Sequence, residues 1–510
     1  MDLTNAQMRD IETLIHPYTN LDAFRQTGPV VMERGEGIHV WDTNGKQYIE
    51  GLAGLWCTSL GYNEKELIEA ATQQLATLPY THTFAGKSHE RAIELAEAVK
   101  EISPHPTSKV LFCGSGSEAN DQQIKLIWYY NNARGKTEKK KIISRKRAYH
   151  GVTVATASLT GLVPNQRDFD LPIDRIHHVN CPFAYREAEP GETDDQFTDR
   201  LAKELDQFIE HEGPDTVAAF FAEPIQGAGG VLIPADGYFP KIKKVLDKHD
   251  VYFVADEVIC GFGRTGNMFG SQTFDMQPDS ISVAKALSSA YLPIGAITIG
   301  DQMYEAMLEE SRKIGTFGHG YTYTAHPVCA AVAIKTLEIY KKRDIVGHVR
   351  KLAPVFEGRF AKLADHPLVG NARAKGLIGA VELVADKATK RSFDPAQKVG
   401  ITCQMNAEAE GLLSRALGGD IVALCPPLII QEDEVNEMFD RLERATNRLP
   451  SIESAATESS SSAASAKKAS VAPSVARYAT TPPSSSTKYA DPVASRATTA
   501  TPISAPPTPP

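Results

Sequence analysis

The sequence predicts an α/β protein with a mostly parallel central sheet flanked by helices, accompanied by a smaller α+β domain. Three observations lead there. Between about residues 60 and 320, short apolar or β-branched runs alternate with amphipathic stretches, the pattern of strands buried on both faces by crossover helices. From about residue 330 to 450 the pattern changes to long helices around a short strand pair. The chain has 510 residues, 42% of them hydrophobic, enough for a large core and two or three domains.

In chain order, VVMERGEGIHVWDTNGKQYIEG reads as strands around an Asn44-Gly45 hairpin turn. KVLFCG, KKIISRK, VAAFFAEPI, VYFVADEV, SISVAK and PIGAITIG read as buried strands. Next come the helices VCAAVAIKTLEIYKK and VRKLAPVFEGRFAKL, the strand pair AKGLIGAVELV and the closing helix EDEVNEMFDRLERA. The divisions are an N-terminal segment (1–60), a large domain (61–325), a small C-terminal domain (326–450) and a tail (451–510). The tail is biased to Ser, Thr, Ala and Pro and has too few large apolar residues to offset its ordering entropy. It reads as a disordered, functionally silent extension. Its five basic residues against three acids leave the rest of the chain more acidic than the net charge of −9.

Acids outnumber bases, 63 to 54, with no basic stripe interleaved with aromatics, so nucleic acid is not an expected partner. No apolar stretch approaches the roughly 18 residues of a membrane span, and the first residues carry acids instead of an apolar signal core, so the expected location is the cytosol. Seven scattered cysteines with no C-x-x-C pair suit a reduced compartment and form no zinc pattern.

Open parallel sheets bind ligands at the carboxyl ends of their strands. Here VYFV ends in Ala255-Asp256-Glu257, VAAFFA in Glu223-Pro224 and SISVA in Lys285, while KKIIS leads to Tyr149-His150-Gly151. The loop Cys113 to Asn120 follows a strand and opens a helix. Ser115 and Glu118 stand at capping-box spacing, so the loop is either a plain helix cap or a phosphate site at Gly116 and Ser117. No Walker pattern closes it. Gly261-Phe262-Gly263-Arg264-Thr265-Gly266 matches G-x-G-x-x-G, but NMFGSQTFDMQPD after it is a poor helix, and a dinucleotide fingerprint needs a helix beginning inside the motif. Lys285 follows apolar residues, where burial lowers an amine's pKa and prepares it for Schiff-base chemistry; a snorkelling lysine is the plainer alternative for one residue viewed alone. An amine, a neighbouring carboxylate and a phosphate loop together describe a site for pyridoxal 5′-phosphate.

DEVICGFGRTG followed by the lysine of AKALSSAYLPIGA, with GSGSEAN, YHG, AEPIQG and HGYTYTAHP in order, resembles class III pyridoxal-phosphate aminotransferases over about residues 10 to 448. GLWCTSLGY and SRALGGDIVALCPPLII resemble the ω-amino-acid:pyruvate branch. The resemblance implies fold type I, with the small domain built from both chain ends. It implies that Lys285 condenses with the cofactor aldehyde and that Asp256 keeps the ring nitrogen protonated. Tyr149 and Val258 would flank the ring, Glu223 would belong to the cofactor site, and Gly116 and Ser117 would hold the phosphate. Thr322 would reach the phosphate in the neighbouring subunit, making a homodimer with shared sites. The implied reaction is ping-pong transfer of an amino group from a primary amine or ω-amino acid to a keto acid, pyruvate above all.

For the substrate, Arg415 resembles a mobile arginine that clamps a keto-acid carboxylate; a helix-end surface arginine is the alternative. Trp56 and Phe84 resemble pocket-lining positions or are plain core. Glutamate-using relatives carry a glutamate where this chain has Ala228, which speaks against ornithine, acetylornithine or 4-aminobutyrate as donor. An aminomutase or decarboxylase would use the same lysine and aspartate, and a non-catalytic scaffold would use neither.

Overall fold

The computed structural model describes residues 3–449; the predicted tail, 451–510, lies outside them. An amino-terminal antiparallel ribbon is formed by β1 (Met32–Glu36), β2 (His39–Asp42) and β3 (Gln47–Glu50). The β2–β3 turn falls at Asn44-Gly45, where Gly45 takes φ +79° and the Asp42 carboxylate accepts the Asn44 and Lys46 N–H groups.

The central sheet follows: β4 (Lys109–Cys113), β5 (Lys141–Arg145), β6 (Ile176–Val179), β7 (Val217–Ala222), β8 (Tyr252–Asp256), β9 (Ser280–Val283) and β10 (Gly295–Ile299). The order across it is β4-β10-β9-β8-β7-β5-β6, and every strand except β10 runs the same way. All six apolar runs read as strands form strands. Strand β6 was not expected, because its edge sequence IHHV has two histidines in place of an apolar run.

Successive side chains of β7 and β8 point to opposite faces, as strand geometry requires. Phe220 and Phe253 join one buried layer with Phe239 of helix Tyr238–Lys248. Ala219, Phe221 and Val254 join another with Ile124 and Ile127 of helix Gly116–Ala133. The sheet is therefore covered on both sides, and each buried phenylalanine contributes about 2 kcal/mol by burial.

Beyond residue 326, helices Pro327–Lys342 and Ile345–Leu363 precede β11 (Val369–Lys375) and β12 (Ile378–Leu383), the antiparallel pair the sequence predicts. Helix Val399–Ala409, β13 (Leu412–Leu413), β14 (Arg415–Leu417), β15 (Ile421–Leu424) and helix Glu432–Asn447 complete it. The expected pair is half of a four-stranded sheet, β11-β12-β15-β14. Strand β13 crosses to the amino-terminal ribbon and pairs in parallel with β3, Leu412 opposite Ile49. Residues 47–50 and 412–413 thus share one sheet.

Candidate active site

A cavity of about 390 Å³ sits where β9, β8, β7, β5 and β4 end. Its wall includes Lys285 after β9, Asp256 ending β8, Glu223 after β7, Tyr149 and His150 in the loop after β5, and Gly114 to Ser117 after β4. The first four strands are consecutive neighbours in the sheet. Parallel pairing brings residues far apart in sequence to one edge, and the volume falls in the range of small-molecule sites.

Lys285 opens a short 3-10 turn with φ +46°, a strained conformation for a residue with a Cβ. Burial pushes its amine below the ordinary lysine range. Asp256 is 3% exposed. Its Oδ2 accepts from Asn120 Nδ2 at 2.6 Å and lies 2.8 Å from His150 Nδ1, and its Oδ1 accepts the Val258 N–H at 3.1 Å. Asn120 also donates to the His150 carbonyl, so the carboxylate cannot turn without breaking several bonds. Glu223 is equally buried, and its oxygens accept the Tyr149 and Gly227 N–H groups at 3.0 Å each. Burial pushes its carboxyl up to about 7.

Helix Gly116–Ala133 begins at this wall. Ser115 caps it by accepting the Glu118 N–H at 3.2 Å, while the Glu118 carboxylate turns to the Gly114 N–H at 2.6 Å. The cap and an anion site are compatible, because neither carboxylate nor cap engages the Gly116 and Ser117 N–H groups, which stand at the positive end of the helix dipole. Gly116 is tightly packed: a Cβ there would lie 2.9 Å from both methyls of Val258, itself a cavity residue. A desolvated amine, a fixed buried carboxylate and an anion-binding helix start in one cavity fit the donor set that pyridoxal phosphate requires.

The remaining predicted residues lie elsewhere. Trp56 is 3% exposed, in an apolar cluster with Leu52, Ile225 and Ile259, of which Ile259 reaches the cavity wall. Phe84 is exposed beside Gly320, and Thr322 is exposed beside Tyr80, whose hydroxyl donates to the Thr322 carbonyl. Neither lines the cavity among the described residues. Arg415 opens β14 instead of ending a helix. Its guanidinium is half-buried 6.0 Å from the Tyr18 ring centre, within the electrostatic reach of Tyr149, and no carboxylate among the described residues pairs with it. Burial lowers its pKa and raises that of Tyr149.

Sequence reasoning assigned no role to Asn120, Cys57 or Tyr18. Asn120 lies one turn into the capped helix, four residues after Gly116, and so faces the strand ends; that spacing was a usable signal. Cys57, inside GLWCTSLGY, lines the cavity. Tyr18 gave none, being an exposed loop residue that only the fold brings near Arg415. The glycine motif at 261–266 forms turns and no helix; its Arg264 is buried and donates to the Leu377 and Pro426 carbonyls.

Comparison with known proteins gives this geometry a family. The sequence model of the family Aminotransferase class-III matches residues 23–446. Gamma aminobutyrate transaminase 3, chloroplastic, of Solanum lycopersicum is 44% identical over 431 residues, 84% of this chain and 83% of that protein. Vanillin aminotransferase of Capsicum annuum is 46% identical over 412 residues, 81% of this chain and 90% of that protein. The crystal structure of the omega transaminase from Pseudomonas jessenii in complex with PMP superposes with a TM-score of 0.86 at 49% identity, covering 87% of this chain and 98% of that one.

The fold is that of the fold-type I transaminases. The chain belongs to the class-III aminotransferase family and is an aminotransferase.

Proposed function

We propose that this aminotransferase moves an amino group from a primary amine or ω-amino acid to a keto acid, with pyruvate as acceptor, using pyridoxal 5′-phosphate held in the cavity around Lys285. The observation that carries the reading is the meeting of a desolvated Lys285, a fixed Asp256 and the start of helix Gly116–Ala133 in one cavity.

Gly116 and Ser117 would hold the phosphate through backbone N–H groups, Asp256 the ring nitrogen, and Tyr149 and Val258 the two ring faces, with Glu223 fixing the Tyr149 backbone. When bound, the cofactor supplies an aldehyde for the amine and a ring that accepts electrons from the substrate carbon. Lys285 Nζ, whose pKa burial lowers, takes the proton from the substrate carbon that bears nitrogen. Arg415 clamps the keto-acid carboxylate, for which no carboxylate among the described residues competes. The second half of the reaction restores the starting enzyme, so the kinetics are ping-pong.

The exposed apolar side chains Leu55, Phe84 and Tyr323 support a covering second copy, a homodimer in which Thr322 serves the partner's cofactor. The small domain would combine residues 1–60 with 326–450, as the β3–β13 pairing suggests. Free cysteines and the absence of any described helix long and apolar enough to span a membrane suit a cytosolic place.

Incubating the protein with an ω-amino acid and pyruvate tests the reading. Alanine is the expected product. Carbon dioxide would mean decarboxylation, an isomeric amine an aminomutase, and no product a scaffold.

A further inference from the structure

The segment Leu52 to Cys57 bends sharply before it reaches the cavity. Ala53, Gly54 and Trp56 all take left-handed φ values, +49°, +65° and +64°. For the two residues with side chains this conformation is strained, so the loop must be held from outside. The Trp56 and Cys57 N–H groups are satisfied inside the loop, by the Leu52 and Ala53 carbonyls. The Leu52 N–H, where the bend begins, donates to Glu50 Oε1 at 3.1 Å. The other oxygen, Oε2, accepts the Tyr62 hydroxyl at 3.4 Å.

Glu50 ends β3, is 5% exposed, and pairs with no cation among the described residues. A buried carboxyl without a counter-charge is costly, and a neutral side chain would serve better if only packing were at stake. On the cavity side the loop delivers Cys57, which lines the wall and lies within electrostatic range of both the Lys285 amine and the Glu50 carboxyl.

We propose that Glu50 is a positioning residue for the amine-binding side of the site, its carboxyl bracing the strained turn Leu52 to Trp56 so that Cys57 is held against the Lys285 cavity. The role in amine binding rests on the transaminase reading above; the bracing of the loop does not.

Cys57 reports on the loop directly, because it is half-buried while the other six cysteines are buried. The test measures the rate at which N-ethylmaleimide labels the Cys57 peptide in wild type, Glu50→Val and Glu50→Gln, beside KM and kcat for a bulky amine. Glutamine keeps a carbonyl oxygen for the Leu52 N–H; valine keeps none. Expected are labelling about tenfold faster in Glu50→Val, near wild-type labelling in Glu50→Gln, and in the valine variant an amine KM raised about tenfold with kcat reduced less than about threefold. Unchanged labelling in a folded Glu50→Val, or equal labelling in both variants, overturns the proposal. Should the valine variant not fold, Glu50→Leu, which fills a similar volume and offers the Leu52 N–H no acceptor, decides: faster labelling supports the brace and an unchanged rate refutes it. Labelling that behaves as expected in a protein without transaminase turnover would keep the brace and remove the function.

Discussion

Replacing Arg415 with alanine separates substrate recognition from the rest of the chemistry. The guanidinium is half-buried, pairs with no carboxylate among the described residues, and lies 6.0 Å from the Tyr18 ring centre and within electrostatic range of Tyr149, which lines the cavity. Burial lowers its pKa, yet an arginine remains charged near neutrality. A forked pair of charge-assisted bonds to a keto-acid carboxylate in such a place is worth about 3 kcal/mol, so Arg415→Ala should lower kcat/KM for pyruvate about 150-fold. An aldehyde acceptor such as propanal has no carboxylate and loses little. The assay follows the second half-reaction after loading with amine, comparing the two acceptors at pH 7.5. Equal losses for pyruvate and propanal would refute the clamp and leave Arg415 as a structural residue of β14.

Gly116→Ala places a Cβ 2.9 Å from both Val258 methyls, and overpacking of this kind costs about 1–3 kcal/mol, so cofactor retention on dialysis should weaken about tenfold. Val258→Ala in the same chain should recover part of the loss; no recovery would place the effect elsewhere. Glu50, Glu223 and Glu257 are each pushed by burial from 4.5 up to about 7. Raised carboxyls favour the folded state most at low pH, and that contribution falls as pH rises from about 4.5 through 7. Glu257→Gln should therefore make the decline of Tm across this window shallower, and an unchanged slope would mean that Glu257 ionises as an ordinary carboxyl does.

The strands were legible where apolar side chains met both faces of the sheet, as in VAAFFA, whose six residues are all buried. Strand β6 was not, since an edge strand needs no apolar run, and helix Val399–Ala409 was not, since Ile401 and Met405 are exposed and blur its periodicity. In the site, Lys285, Asp256, Glu223 and Tyr149 were visible because each ends its strand or follows it within four residues. His150 stood in the same motif, but only coordinates show its Nδ1 against Asp256. Arg415 was named through the resemblance alone; Tyr18 and Cys57 lie toward the amino terminus, and the β3–β13 pairing that draws that part of the chain to residues 412–413 is too short to be read from two leucines.

The central claim is that one desolvated lysine amine condenses with the cofactor aldehyde. Borohydride reduction of the holoenzyme, followed by peptide mapping, tests it most directly: the account predicts a reduced adduct on Lys285 and none in Lys285→Ala. An adduct on any other lysine, or undiminished transamination by Lys285→Ala, would contradict it.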